Sequence, residues 1–213
     1  MKLPLLLTLT FGLIITQAQA KKYKVTFESN WNRQDHLATP GNAHFSPVLA
    51  VSHNRDYSLF QQGGLATKGL EDLSELGRTA ILKDEIATAS SMMEIGEVKE
   101  TQNMFIRSET VQTFEIDITP EHPYLSFASM IAPSPDWFVG LNAIKLYSVE
   151  TGFFESTRNP IDLMAMDAGT ELGDFGGNFS INNQANPTHE PIFTLLGSGF
   201  HTPFARVMIE AVE

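Results

Sequence analysis

The chain has no cysteine among its 213 residues. That excludes disulfide staples, thiolate metal centres, a cysteine nucleophile and a lipidated amino-terminal cysteine. Positive charge is scarce as well: 14 Lys and Arg stand against 25 Asp and Glu, for a formal net charge of -11. Phosphate backbones are bound through basic stripes, so nucleic acid is excluded as a partner, and unaided binding to anionic lipid is disfavoured. No phosphate-cradling or dinucleotide-binding glycine loop is present, and Gly197-Ser198-Gly199 reads as a turn rather than a nucleophile elbow. The six histidines make no zinc pattern. His44 and His53 are too far apart for a helical pair, and His189-Glu190 lacks the second histidine of a zincin. Both His44 and His53 read as structural hydrogen-bonders. With no catalytic constellation, no enzyme is expected.

The amino terminus reads as a leader. Lys2 supplies a positive start, Leu5 to Ile15 is apolar, and Ala18-Gln19-Ala20 fits the small-residue cleavage rule. The apolar run is short for a bilayer span. The expectation is a cleaved signal peptide over 1–20, one domain over 21–213 with no transmembrane segment, and a secreted or periplasmic product. Loss of Lys2 makes the mature chain still more acidic, which suits solubility and cation binding. Its length fits a single all-β domain that buries a core without covalent help.

Hydrophobic periodicity places the elements. Lys22 to Glu28 alternates, with Tyr23, Val25 and Phe27 on one face. Phe45 to Ser52 and Tyr57 to Phe60 read as strands joined by a turn at Asn54-Arg55-Asp56. Gly63-Gly64 opens a helical stretch: Thr67 to Leu76 ending at Gly77, then Ala80 to Ala89 capped by Thr79. Ser90 to Gln102 fits core or flap equally. Strand patterns return over Thr113 to Ile118, Tyr124 to Ile131, Trp137 to Leu146, Pro191 to Leu196 and Ala205 to Val212. About eight or nine strands with turns between them read as an antiparallel sandwich with a helical insertion. No repeat and no low-complexity tract appears, and Trp137 reads as core.

One loop carries the functional reading. In Pro133-Ser134-Pro135-Asp136-Trp137-Phe138-Val139-Gly140, two prolines force the chain out of the sheet and hold an acid before an apolar run. By itself Asp136 is either a turn-former or a ligand. This segment closely resembles the central motif of the spondin amino-terminal domain found in F-spondin and mindin. His44-Phe45-Ser46-Pro47, Gly69-Leu70-Glu71-Asp72-Leu73 and Asp167-Ala168-Gly169-Thr170-Glu171 follow the family order, and the resemblance runs from Tyr23 to Val212. It implies a C2-like antiparallel β-sandwich that binds calcium and serves extracellular attachment. Vertebrate members carry cysteines, so their absence here suggests a bacterial, single-domain member.

The resemblance implies Asp136, Asp167 and Glu171 as calcium ligands. Gly169 lets the intervening backbone curl so that both later acids can face one point. The last position is often Asp in the family; Glu171 is one methylene longer. Asp162 and Asp174 are possible accessory ligands. The loop is not an EF-hand, and one mainly structural ion of extracellular-grade affinity, roughly 10⁻⁴–10⁻³ M or tighter, is expected. The partner implied is an extracellular protein or glycan. Two rival readings stay open: a structural envelope or biofilm component without a specific partner, and a metal-assisted hydrolase.

Overall fold

The computed structural model describes residues 19–36, 38–172 and 187–212. Most of the expected leader, Asp174 and the sequon Asn178-Phe179-Ser180 lie outside the described residues. In chain order the strands are β1 (Lys21–Ser29), β2 (His44–Phe45), β3 (Leu49–His53), β4 (Ile95–Glu100), β5 (Met104–Phe105), β6 (Val111–Ile118) and β7 (Tyr124–Ala132). They continue with β8 (Trp137–Lys145), β9 (Tyr147–Ser148), β10 (Phe153–Phe154), β11 (Ile161–Leu163), β12 (Met166–Asp167), β13 (Phe193–Thr194) and β14 (Ala205–Ala211). Two helices, α1 (Lys68–Leu76) and α2 (Ala80–Ser90), fall between β3 and β4.

All pairings are antiparallel. One sheet runs β11-β14-β1-β6. The larger runs β13-β12-β8-β7-β2-β5, with β3 bridging β7 and β4. The two pack face to face as an all-β sandwich. Tyr23, Val25 and Phe27 of β1 meet Phe45, Phe127, Trp137 and Val139 of the larger sheet in the main core. The outer face of the smaller sheet carries cross-strand charge pairs, with Lys22 opposite Asp117 and Glu28 opposite Arg206.

The larger sheet is covered on its other face too. Leu49 and Val51 of β3, Ala128 of β7, Phe138 of β8 and Met166 of β12 form a second core with Leu70 and Leu73 of α1 and Leu82 and Ile86 of α2. Residues that alternate along these strands therefore enter two different cores. This explains why β7 is buried from Leu125 to Ala132 without a polar-out pattern. The helices lock together at Gly69, where a Cβ would come within 2.5 Å of the Leu82 Cα.

Several expectations are corrected. The stretch from Phe45 to Ser52 breaks into β2 and β3 around Pro47, which has no N–H to donate. Tyr57 to Phe60 is not a strand: Leu59 and Phe60 are buried in the second core, but the Leu59 amide donates to the Asn142 side chain instead of a neighbouring ladder. Thr67 caps α1 through its side chain, whereas Thr79 makes no cap bond to α2 and donates to Glu100. The ambiguous Ser90–Gln102 stretch contains β4, paired to β3, after exposed Met92 and Met93.

Candidate metal centre

Two connections meet at one end of the sandwich. The first joins β7 to β8 through Pro133, Ser134, Pro135 and Asp136. The Trp137 amide donates to the Ser134 hydroxyl at 3.0 Å and tightens this turn. The second follows β12 from Ala168 to Glu171. The Ala168 amide donates to the Asp136 carbonyl at 3.1 Å, so the two connections are tied by backbone before any side chain is considered.

The side chains deepen the tie. Asp136 Oδ2 accepts the amides of Thr170 at 2.8 Å and Glu171 at 3.1 Å, with the Thr170 hydroxyl at 3.3 Å. Asp167 Oδ1 accepts the Gly169 amide at 2.8 Å, an Asx turn of the kind Asp favours. Gly169 sits at φ +73, and a Cβ there would collide with the Glu190 carbonyl oxygen. Glu190 and Thr188 in turn donate amides to the Gly169 and Thr170 carbonyls, both at 2.8 Å. Asp167 is also the register partner of Trp137 across the β12–β8 pair, and the Trp137 side chain beside its carboxyl partly offsets the upward push that burial gives it. The indole thus fills the core and borders an acid, a second role invisible in the sequence.

Burial then sets the electrostatics. Asp136 is 0% exposed, Asp167 4% and Glu171 2%. Burial pushes the Asp136 carboxyl above its ordinary range. Burial, and then the charge of Asp136 beside it, pushes Asp167 up to about 7. Both carboxyls are thereby pushed toward their neutral forms. Asp136 Oδ1 is buried with no hydrogen-bond partner.

Among the described residues, no basic side chain relieves this. The ion pairs among the described residues leave out Asp136 and Asp167. The sequence from Gly173 to Asn186 contains no lysine or arginine. A buried carboxylate pair without a counter-charge costs several kcal/mol. The donors that approach are oxygens, with no imidazole or thiolate, which suits a hard cation such as calcium. The orphaned Asp136 oxygen fits such a cation. Among the described residues, no three His, Cys, Asp or Glu side chains are already gathered as a ligand cage.

Of the three acids marked in the sequence, Asp136 and Asp167 are brought into contact. Glu171 is held alongside, its amide on Asp136, and it lines a cleft with Asp167, Gly169, Thr188 and Glu190. Asp162 goes elsewhere: on exposed β11 it accepts from Arg206 Nε at 2.8 Å. The unmarked residues are Thr170, which bridges by hydroxyl and amide, Trp137, and Glu75 of α1. Glu75 is buried, within electrostatic reach of Asp136 and Glu171.

The Spondin_N family model matches residues 21–204. Human Spondin-1 is 33% identical over 159 residues, which covers 71% of this chain and 19% of that protein. Rat Spondin-2 is 31% identical over 166 residues, covering 75% of this chain and 49% of its own length. The chain thus spans about a fifth of one relative and about half of the other.

Proposed function

Because the chain belongs to the Spondin_N family, we propose that it is a non-catalytic extracellular attachment module whose sandwich end is fastened by one calcium ion. The observation that carries the metal reading is the buried Asp136–Asp167 pair, which has an orphaned oxygen and, among the described residues, no basic neighbour. Asp136, Asp167 and Glu171 would hold the ion. When bound, calcium would supply two positive charges to carboxyls that burial pushes toward their neutral forms.

The chain's own residues prepare the site. Gly169 turns the backbone and its amide orients one oxygen of Asp167, while the Thr170 and Glu171 amides orient one oxygen of Asp136. Hydrogen-bonded acids lose little further rotamer freedom on binding, which lowers the cost of association. Fixing both connections makes one end of the sandwich a rigid surface for an extracellular protein or glycan.

Calcium titration by calorimetry on chelator-stripped protein, paired with melting curves, tests this. One-site binding with a raised melting temperature is expected, since a ligand at 100 times its dissociation constant adds about 2.7 kcal/mol. No heat and no shift would end the calcium reading. Retention on matrix extracts and glycans, with and without chelator, tests the attachment reading. No retention with or without calcium would favour a structural component without a partner, and retention that calcium does not alter would separate attachment from the ion.

A further inference from the structure

A cleft of about 330 Å³ opens where α1 ends, between the helix terminus and the β2–β5 edge of the larger sheet. Small-ligand clefts run from about 300 Å³ upward, so it has room for one ring-sized group. Gly77 lets the two sides come close: a Cβ there would stand 3.0 Å from the Ser46 Cβ. Met130 and Pro133 give the cleft an apolar wall, and Pro133 belongs to the β7–β8 turn that carries Asp136. Asn42, His44, Arg78 and Asn103 supply its polar groups.

The fold leaves these groups open. Among the described residues the Arg78 guanidinium has no ion pair, although acids outnumber bases 25 to 14 in the chain. The side-chain amides of Asn42 and Asn103 have no partner among the described residues either. His44 Nδ1 lies 2.7 Å from the Asn42 carbonyl, which leaves its Nε2 unused. The imidazole stacks on Phe105 at 4.8 Å, and Phe105 is 47% exposed. Arg107 approaches the same edge: a Cβ on Gly41, next to Asn42, would lie 3.8 Å from its Nη2. The one acid among the described lining residues, Glu75, is 3% exposed and its Oε2 is sealed from solvent, so the charge at the mouth is that of Arg78.

Gathered at one cleft, these side chains set the chemistry of what fits. A guanidinium pairs with a carboxylate or a sulfate through two parallel hydrogen bonds. A side-chain amide both donates and accepts, as a hydroxyl does, so two of them suit a hydroxylated ligand. An apolar wall and an exposed aromatic ring suit the C–H face of a saturated ring. An acidic side chain of a protein would engage the guanidinium but fill little of the ring-sized space. At physiological salt the acids elsewhere on the chain are screened beyond about 8 Å, so the local guanidinium groups decide the sign of the ligand. Resting on the attachment reading above and not on the calcium reading, we propose that this cleft binds a sugar residue carrying a carboxylate or a sulfate, and that acidic glycans are the partners of the module. Arg78 takes the acid group, and Asn42 and Asn103 take ring hydroxyls. Arg107 attracts the next acidic residue along the glycan.

The test uses the full mature chain and surface plasmon resonance on immobilised oligosaccharides of hyaluronan, keratan sulfate and chitin, with a polyglutamate peptide as the acid without sugar. Hyaluronan carries carboxylates, keratan sulfate carries sulfates, and chitin carries neither. Binding to hyaluronan or keratan sulfate about tenfold tighter than to chitin and polyglutamate is expected, and the stronger of the two tells carboxylate from sulfate. Arg78→Ala should weaken it about tenfold and Asn103→Ala about threefold, whereas Arg55→Ala, at an exposed arginine beside Asp56, should stay within about twofold. All three side chains are exposed, so the fold is not at stake. Polyglutamate bound as tightly as the acidic glycans would overturn the inference in favour of a protein partner. An equal loss in Arg55→Ala would reduce the effect to net charge and overturn it too. Glycan binding that Arg78→Ala and Asn103→Ala leave unchanged would overturn it and keep the attachment reading. No binding to either acidic glycan, while matrix extracts still retain the protein, would do the same. No retention on any surface would remove both readings together.

Discussion

Trp137 and Asp167 face each other across the β8–β12 pair, and the side chain of the first partly offsets the upward push that burial gives the carboxyl of the second. A residue whose ring is wholly buried in the main core therefore also sets the surroundings of an acid. Replacing it by phenylalanine keeps an aromatic ring but removes the indole N–H. Trp137→Phe is expected to cost about 2–4 kcal/mol in urea denaturation, from lost packing and the loss of a polar neighbour to a buried carboxyl. With Asp167→Asn it should form a double-mutant cycle with a coupling of about 0.5–3 kcal/mol. Strict additivity would mean that the two side chains do not interact.

Asp136→Asn is expected to lower calcium affinity at least tenfold. In chelator the same variant should be no less stable than the wild type, because it removes a buried charge that a neighbouring carboxyl repels. Paired calorimetry and melting curves read both effects. An unchanged dissociation constant would take Asp136 out of the site.

Gly169→Ala places a side chain at φ +73 against the Glu190 carbonyl. A loss of about 1–3 kcal/mol is expected, together with weaker calcium binding because the turn between Asp167 and Glu171 must open. Thermal denaturation with and without calcium checks both. A neutral substitution would show that this loop has slack.

Asp162→Asn serves as the contrast. Its partner Arg206 is exposed, and such pairs contribute about 0–1 kcal/mol. Calcium affinity should not change. A tenfold loss would bring β11 into the site.

His53 predicts a pH dependence. Its Nδ1–H donates to the Asn54 carbonyl at 2.6 Å, its Nε2 lies 2.8 Å from the Ser126 hydroxyl, and burial holds it below the ordinary imidazole value of 6.5. Between that value and its folded one, the unfolded chain binds a proton that the fold refuses. Stability should therefore fall as the pH drops below about 6.5. The acid pair slopes the other way in chelated protein, because a raised carboxyl takes up protons the unfolded chain does not. Comparing wild type with His53→Gln at each pH cancels that term. Parallel curves would clear His53 of any part in the slope.

Much of the fold could be read where one face of an element is buried. Alternation in β1, β6 and β14, and the Thr67 and Gly77 ends of α1, match the periodicity closely. Reading failed where burial came from two sides or from a loop. Leu59 and Phe60 are apolar because they line the second core, and a short apolar run has the same signature in a loop as in a strand. At the candidate site, the wording around Asp136 and Asp167 singled them out, and the fold brings them together. Glu75 left no such mark. Among acids on an amphipathic helix it resembles Glu71, and only its burial separates the two.

The second core gives the helical pair a standing that its place in the chain conceals. Read along the sequence, residues 65–90 are an excursion between two strands, the sort of segment an engineer would trim to reach a minimal sandwich. In space they roof Leu49, Val51, Ala128 and Phe138. Cutting them away would bare one whole side of the central strands to water and to other copies of the chain. The smallest unit that keeps both cores closed is the sandwich with its roof on.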